Sequence, residues 1–231
     1  MKKLVTTLLT VAAVALVATA SFAASAVRIS QVYGGGGGSG TYTNDYVELF
    51  NSSAVPVDMS GWALEYGSAT GNWGSSSGNY FVLPAGTIIQ PCSYLLIQTG
   101  SAGTAGEALP VTPDLVTASI NAGQTNGKIG LFTALQANVA CTSVPAGVTV
   151  DKVSYGTANC WEGAAACGAL TNTTVAVRAN GGLTDTDENG ADFAPVAAGP
   201  IMHNAASGAN AACLATPSMK GTWGALKSIY R

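Results

Sequence analysis

An all-β sandwich is the fold class predicted for this chain, on three observations. Short runs rich in Val, Ile, Leu and aromatics alternate throughout with Gly/Ser/Asn/Pro stretches. No stretch of the middle region holds a helical period. Gly is abundant at 29 residues while only 9% of the chain is charged, a composition suited to frequent turns between buried strands.

The elements can be justified in order. Lys2 and Lys3 precede an almost uninterrupted apolar run from Leu4 to Phe22, followed by small residues through Ala26. A basic start, an apolar middle and an Ala-x-Ala-like end make a secretory signal peptide, with an uncleaved anchor as the competing reading. Candidate cleavage points follow Ala23 and Ala26; the Ala24-Ser25-Ala26 reading is preferred, so residues 1–26 are assigned to the signal. No Cys occurs before Cys92, which excludes lipid attachment at a new N-terminal Cys. Nothing later in the chain is long and apolar enough to span a membrane.

The eight predicted strands are Val27–Tyr33, Asp45–Asn51, Trp62–Tyr66, Tyr80–Leu83, Tyr94–Thr99, Lys128–Phe132, Val150–Tyr155 and Thr174–Arg178. In the second, Val47 and Leu49 share one face and Glu48 takes the other, as a period of two demands. Trp62 and Leu64 likewise share a face. Between the first two strands, Gly34–Gly38 reads as a flexible loop. A phosphate cradle would need a Gly-Lys-Ser/Thr ending and a following helix, and Ser39-Gly40-Thr41-Tyr42 supplies neither. Residues 27–200 form the globular part. From Ala194 onward the composition turns Ala-rich, and 201–217 reads as a tether. In the last segment, 218–231, Trp223, Leu226 and Tyr230 make one apolar stripe on a short helix, with Lys227 and Arg231 in its last turns. That stripe is a candidate docking element.

Without Lys2 and Lys3 the exported chain carries 7 basic against 12 acidic residues, a net charge of −5. Such a surface lacks the clustered Lys and Arg that phosphate backbones require, which disfavours nucleic acid as a partner. The five cysteines, Cys92, Cys141, Cys160, Cys167 and Cys213, read as a disulfide framework. No Cys-x-x-Cys pair exists, and the single histidine, His203, cannot complete a typical zinc set. Cys92, Cys141, Cys160 and Cys167 are the disulfide candidates. Cys160 could close locally on Cys167 or reach Cys141, and Cys213 is expected to be the odd one out.

Several of these residues also carry a resemblance. Asp45-x-Val47-Glu48-Leu49-x-Asn51, Gly61-Trp62-x-Leu64, Phe81-x-Leu83-Pro84-x-Gly86, Pro91 and Leu95-x-Ile97 resemble the strand and turn signature of lamin-tail domains. The Gly-rich first loop, the loop from Gly156 through Cys160 to Gly163 and the Asp185-Thr186-Asp187 turn are similar to the secreted bacterial branch. The likeness covers roughly Val27 to Pro200. It implies an immunoglobulin-like sandwich with long Gly-rich loops, in a secreted or cell-surface bacterial protein. Leu183 stands where related domains often carry a cysteine, which implies a different partner for Cys160. Such modules often accompany extracellular nucleases, but this chain contains no nuclease domain.

The best site candidate is the acidic turn Asp185-Thr186-Asp187-Glu188-Asn189-Gly190. Oxygen ligands at the first, third and fifth positions, with Gly at the sixth, begin a calcium loop. The twelfth position is Val196, so the bidentate Glu is absent. Asp185, Asp187 and Asn189 with Asp192 are the expected calcium ligands, and an Asx-type turn is the competing reading. No other cofactor is indicated. Catalysis has little support: no Gly-x-Ser-x-Gly elbow or His-Glu-x-x-His motif occurs. Asp45 and Glu48 fall on opposite faces of one strand and cannot flank one scissile bond. Tyr42, Tyr66, Trp73 and Tyr80 flank Gly/Ser-rich loops, where they either pack or stack on a ligand. The sequence therefore points to a non-enzymatic interaction or structural module, with an extracellular protein or polysaccharide as partner. The alternatives are an accessory to nucleic-acid degradation and a hydrolase with an unrecognised site.

Overall fold

The computed structural model describes residues 25–37, 40–199 and 201–214. Its strands are β1 Val27–Tyr33, β2 Asp45–Asn51, β3 Val57–Asp58, β4 Ala63–Gly67, β5 Tyr80–Val82 and β6 Ile88–Ile89. They continue as β7 Tyr94–Thr99, β8 Leu115–Val116, β9 Gly127–Phe132, β10 Thr149–Tyr155, β11 Thr174–Arg178 and β12 Phe193–Ala197. A six-stranded sheet runs β12-β11-β1-β2-β7-β8, and a four-stranded sheet runs β10-β9-β4-β5. β3 and β6 form a small ribbon. All pairings are antiparallel except β7 with β8. The fold is an immunoglobulin-like sandwich.

All eight predicted strands are present, four of them with the predicted bounds. The alternation explains why. Val47 and Leu49 of β2, Leu64 of β4, Ile129 and Leu131 of β9 and Val153 of β10 meet in the core between the sheets. Each such side chain contributes about 1.5–3 kcal/mol through the apolar area it withdraws from water. A β-bulge between Ile29 and Gln31 turns both Ser30 and Gln31 towards Glu48, on the outer face of the larger sheet.

That outer face is covered, which corrects the tether reading of 201–217 as far as residue 214 and the linker-like reading of the Ala-rich stretch from Ala194. Residues Phe193–Ala197 are a paired edge strand, and residues 201–214 are strapped across the sheet. Met202 is buried with Tyr33, Tyr42 and Tyr46. The His203 amide donates to Glu48 Oε2 at 2.5 Å, its ring stacks on Tyr94, and Asn210 donates to the Tyr94 hydroxyl. Cys213 then bonds to Cys92, with their Cα atoms 5.5 Å apart. Composition hid this because the strap is held by specific side chains and main-chain hydrogen bonds, not by an apolar stripe. Trp223, Leu226 and Tyr230 lie outside the described residues.

The expectation that Cys213 is the odd cysteine is corrected in the same way: Cys213 is paired and the buried Cys167 is free. Of the two options for Cys160, the bond to Cys141 is the one found. Local closure of Cys160 on Cys167 is ruled out by side: Cys167 packs in the core between the sheets, while Cys160 joins Trp73 and Phe132 on the outer face. Burial pushes the Cys167 thiol up to about 11, so it stays protonated.

Gly34–Gly36 form a packed plug, contrary to the flexible loop expected, while Gly37 has open space beside it. A Cβ on Gly34 would meet the Gly123 carbonyl oxygen at 2.7 Å, and one on Gly36 would meet the Asp45 nitrogen at 2.5 Å. Asp45 ties this plug down, accepting from Gly36 N–H and Ala122 N–H, each at 2.8 Å. Tyr42, Tyr66 and Trp73 are buried and Tyr80 is half-buried, so the first three serve packing.

Under the loop stapled by Cys141–Cys160 lies an ionisable group. Glu65 is fully buried; its Oε1 accepts from the Gln136 amide at 2.5 Å and its Oε2 has no hydrogen-bond partner. Burial pushes its carboxyl up to about 7, against the pull of that amide. A raised carboxyl stabilises the fold below its unfolded value and loses that contribution as pH climbs through about 7. Glu65→Gln should therefore flatten the pH dependence. The stability lost between pH 5 and pH 8 should shrink by roughly 1–3 kcal/mol in urea titrations. Parallel losses in parent and variant would assign the titration elsewhere.

Candidate functional site: an acidic cleft at one end of the sandwich

At the end of the sandwich where β1 begins, a cleft of about 540 Å³ is lined by Ser25, Trp62, Asp151, Lys152, Glu162, Asp185 and Asp187, among others. Its floor is built by strand alternation. Asp151 shares the inward face of β10 with Val153 and Tyr155, and Arg178 shares the inward face of β11 with Ala176. Two opposite charges at core-facing positions must find each other. Arg178 Nη2 reaches the two Asp151 oxygens at 2.7 and 2.9 Å.

Arg178 is a hub with 0% exposure. Its Nη1 contacts Asp185 at 3.0 Å and Asp192 at 3.4 Å, and its Nε donates to the Ile29 carbonyl at 2.9 Å. The Phe193 ring lies 4.4 Å from the guanidinium. Burial acts to lower the Arg178 pKa, but Asp151 and Asp185 outweigh it and hold the group charged. Arg28 closes the network from β1, pairing with Asp185 at 3.0 Å and donating to the Leu183 carbonyl at 2.6 Å. Burial also raises the Asp151 carboxyl, an effect opposed by Arg178 and by the Ile29 N–H bonded to it at 2.6 Å.

The acidic turn divides its work. Asp192 accepts from Thr186 N–H at 2.8 Å and Thr186 Oγ1–H at 2.7 Å, closing the turn on itself. Asn189 bridges to the next strand: its Oδ1 accepts from Ser154 and Glu162 amides, and its Nδ2 donates to the Lys152 carbonyl. Glu188 accepts from the Ala164 and Ala165 amides, which binds the Cys160–Cys167 loop to the turn. The Ser154 hydroxyl holds the same loop through the Cys160 carbonyl. Asp187 is exposed with φ +56°.

The four expected calcium ligands are thus dispersed. The Asn189 and Asp192 side chains are bonded to protein, and Asp187 faces solvent. Among the described residues, the carboxylates whose oxygens lie within 4.8 Å of one another are Asp151, Glu162 and Asp185. These three are the set that could hold a divalent cation, and of them only Asp185 was expected. Glu162 stands at the cleft mouth, its carboxyl pushed up to about 8 by burial and by Asp151 against the opposing pull of Lys152. At neutral pH it can donate a proton in a hydrogen bond. Sequence reasoning missed Arg178, Asp151 and Arg28. The available signal was a charged residue at an inward position of a predicted strand.

A family model described as Lamin Tail Domain matches residues 20–157 of this sandwich. The chain belongs to the lamin-tail domain family. No curated protein matches it. Among solved structures, a DUF4876 family protein from Bacteroides thetaiotaomicron aligns over 76% of this chain and 72% of its own, at 12% identity and a TM-score of 0.47. In this lamin-tail domain, the family match ends at residue 157, before most of the acidic turn network. No helix among the described residues is long and apolar enough to cross a membrane.

Proposed function

We propose that this lamin-tail domain is a secreted or cell-surface, non-enzymatic interaction module whose partner is an extracellular protein or polysaccharide. The observation that carries the reading is the saturation of the cleft floor. The Arg178 guanidinium is spent on Asp151, Asp185, Asp192 and the Ile29 carbonyl, so the buried charges hold the fold together. Around them stand Trp62, Lys152, Glu162 and Asp187, with Trp161 exposed at 41% beside Glu162. A concave surface with an aromatic and hydrogen-bonding groups suits contact with sugars or peptides. Two disulfides support an oxidising compartment.

The test is saturable binding to a panel of purified polysaccharides and matrix peptides, repeated with Trp161→Ala and Glu162→Gln. At least a tenfold weakening in one variant, about 1.4 kcal/mol, is expected for the true ligand. Absence of binding, together with turnover of an ester, glycoside or phosphodiester, would replace the module by a hydrolase. Retention on DNA at low salt would favour an accessory to nucleic-acid degradation; none is expected at a net charge of −5.

The docking role of Trp223, Leu226 and Tyr230 belongs to the same reading. A chain ending at Pro217 keeps Cys213, and so keeps its bond to Cys92. In cell fractionation the full chain is expected on the surface and the shortened one in the medium. Equal release of both would show that the segment does not attach the protein.

A further inference from the structure

We infer that the Lys128 amine and the Asn159 carboxamide join in an intramolecular isopeptide bond, formed by the folded chain on its own. Neither residue lines the cleft, so the inference stands whether or not the cleft takes a ligand.

Along β9, Ile129 and Leu131 face the core, which turns Lys128 to the outer face of the smaller sheet. That face is roofed by loops, and Lys128 has 0% exposure. Its stem lies against Gly67 of β4, where a Cβ would meet Lys128 Cε at 2.6 Å. Its Nζ stands 5.5 Å from the centre of the Trp73 ring. Among the described residues no carboxylate pairs with it. Its hydrogen bond goes to Asn159 Oδ1 at 2.7 Å. An ammonium carries three donors, and burial without a counter-charge favours the neutral amine. Desolvation accordingly lowers the Lys128 pKa. A neutral amine is a nucleophile, and here it is held against an acyl group.

The carboxamide is fixed from both sides. Ala158 is buried, and Cys160 is buried and bonded to Cys141. Asn159 N–H donates to the Ala69 carbonyl at 2.9 Å, and Thr157 N–H donates to Asn126 Oδ1 at 2.8 Å. Asn159 itself is exposed, so a leaving group passes directly to water. The step balances without oxidant or cofactor. The Nζ lone pair attacks Cγ and forms the new C–N bond. The Cγ–Nδ2 bond then breaks, and the proton lost by Nζ leaves on Nδ2 as ammonia. Fixed geometry replaces concentration, since well-oriented intramolecular partners react as if at roughly 10⁵–10⁸ M. The product is a secondary amide tying β9 to a loop 31 positions further on, and escape of ammonia makes the step one-way.

Intact mass of the purified, disulfide-bonded full chain decides the matter, followed by digestion after reduction. The mass should fall one ammonia below that of the sequence counted from its measured N-terminus. A branched peptide joining Lys128 to Asn159 should survive reduction. An undiminished mass overturns the inference. So does a deficit without the branched peptide, or one that persists in Lys128→Met, because Asn cyclisation on the backbone also releases ammonia. The second variant, Asn159→Ala, changes an exposed position and should show no deficit. Denatured and reductively methylated with formaldehyde and borohydride, this variant should be labelled at Lys128 while the parent is not. Equal labelling of Lys128 in both overturns the inference even where Lys128→Met fails to fold.

Discussion

Replacing Arg178 by methionine is expected to destabilise the protein by about 3–5 kcal/mol, the range for breaking a buried ion pair by removing one partner. For a domain of this size that corresponds to a melting temperature lower by roughly 6–20 °C in scanning calorimetry. The reason lies in what remains. Asp151, Asp185 and Asp192 would face one another without the guanidinium, and Asp151 is almost fully buried. Low pH should reduce the difference, because protonated carboxyls no longer need the cation. Adding Asp151→Leu to Arg178→Met should restore part of the loss, since well-packed apolar groups replace buried ion pairs at little cost. A melting temperature within a degree or two of the parent would mean that the network is decoration.

Loss of the Cys92–Cys213 bond, by Cys213→Ser, should lower stability by about 2–4 kcal/mol. The bond links positions 121 apart, against 19 for Cys141–Cys160, so it restricts the unfolded chain more. The denaturant midpoint of Cys213→Ser should therefore fall by at least as much as that of Cys141→Ser. The strap should respond in its own way. Glu48 holds the His203 pKa up by a hydrogen bond at 3.3 Å, against the effect of burial. The stabilisation so gained is complete below the ordinary histidine value and fades as pH rises through the raised one. In Cys213→Ser, proteases should accordingly nick residues 205–212 faster at pH 8 than at pH 6. Equal rates at both pH values would remove His203 from the account.

The sandwich was legible because alternation is a strong signal in strands of five to seven residues. It fails for β3, β6 and β8, which are two residues each and leave no pattern to count. β12 escaped for another reason. Pro195 and two alanines disguise it as linker, yet an edge strand tolerates proline because only one side needs hydrogen bonds. The cleft was half legible. The acidic turn was found with two readings, ligands for an ion and a turn closed by its own side chains, and most of its residues serve the chain itself. Arg178 was visible at a core-facing position of a correctly placed strand, and the rule that inward charges come paired would have found it. Of the disulfides, Cys141–Cys160 was among the two options the sequence offered, whereas pairing Cys92 with Cys213 depends on a strap whose course no local pattern encodes.

Ser52 holds both ends of the described domain. Its amide and hydroxyl bind the Ala26 carbonyl, and its own carbonyl lies 3.5 Å from Cys213 Sγ. Entry and exit of the described domain are therefore side by side, so anything joined to both ends would carry it as a pendant rather than be held apart by it as a spacer. Tension applied through the two leads would run across the Cys92–Cys213 bond and the first residues of β1, bypassing most of both sheets. The same geometry makes the fold suited to circular permutation, with a short linker joining residue 214 to residue 25 and new ends opened in an exposed loop.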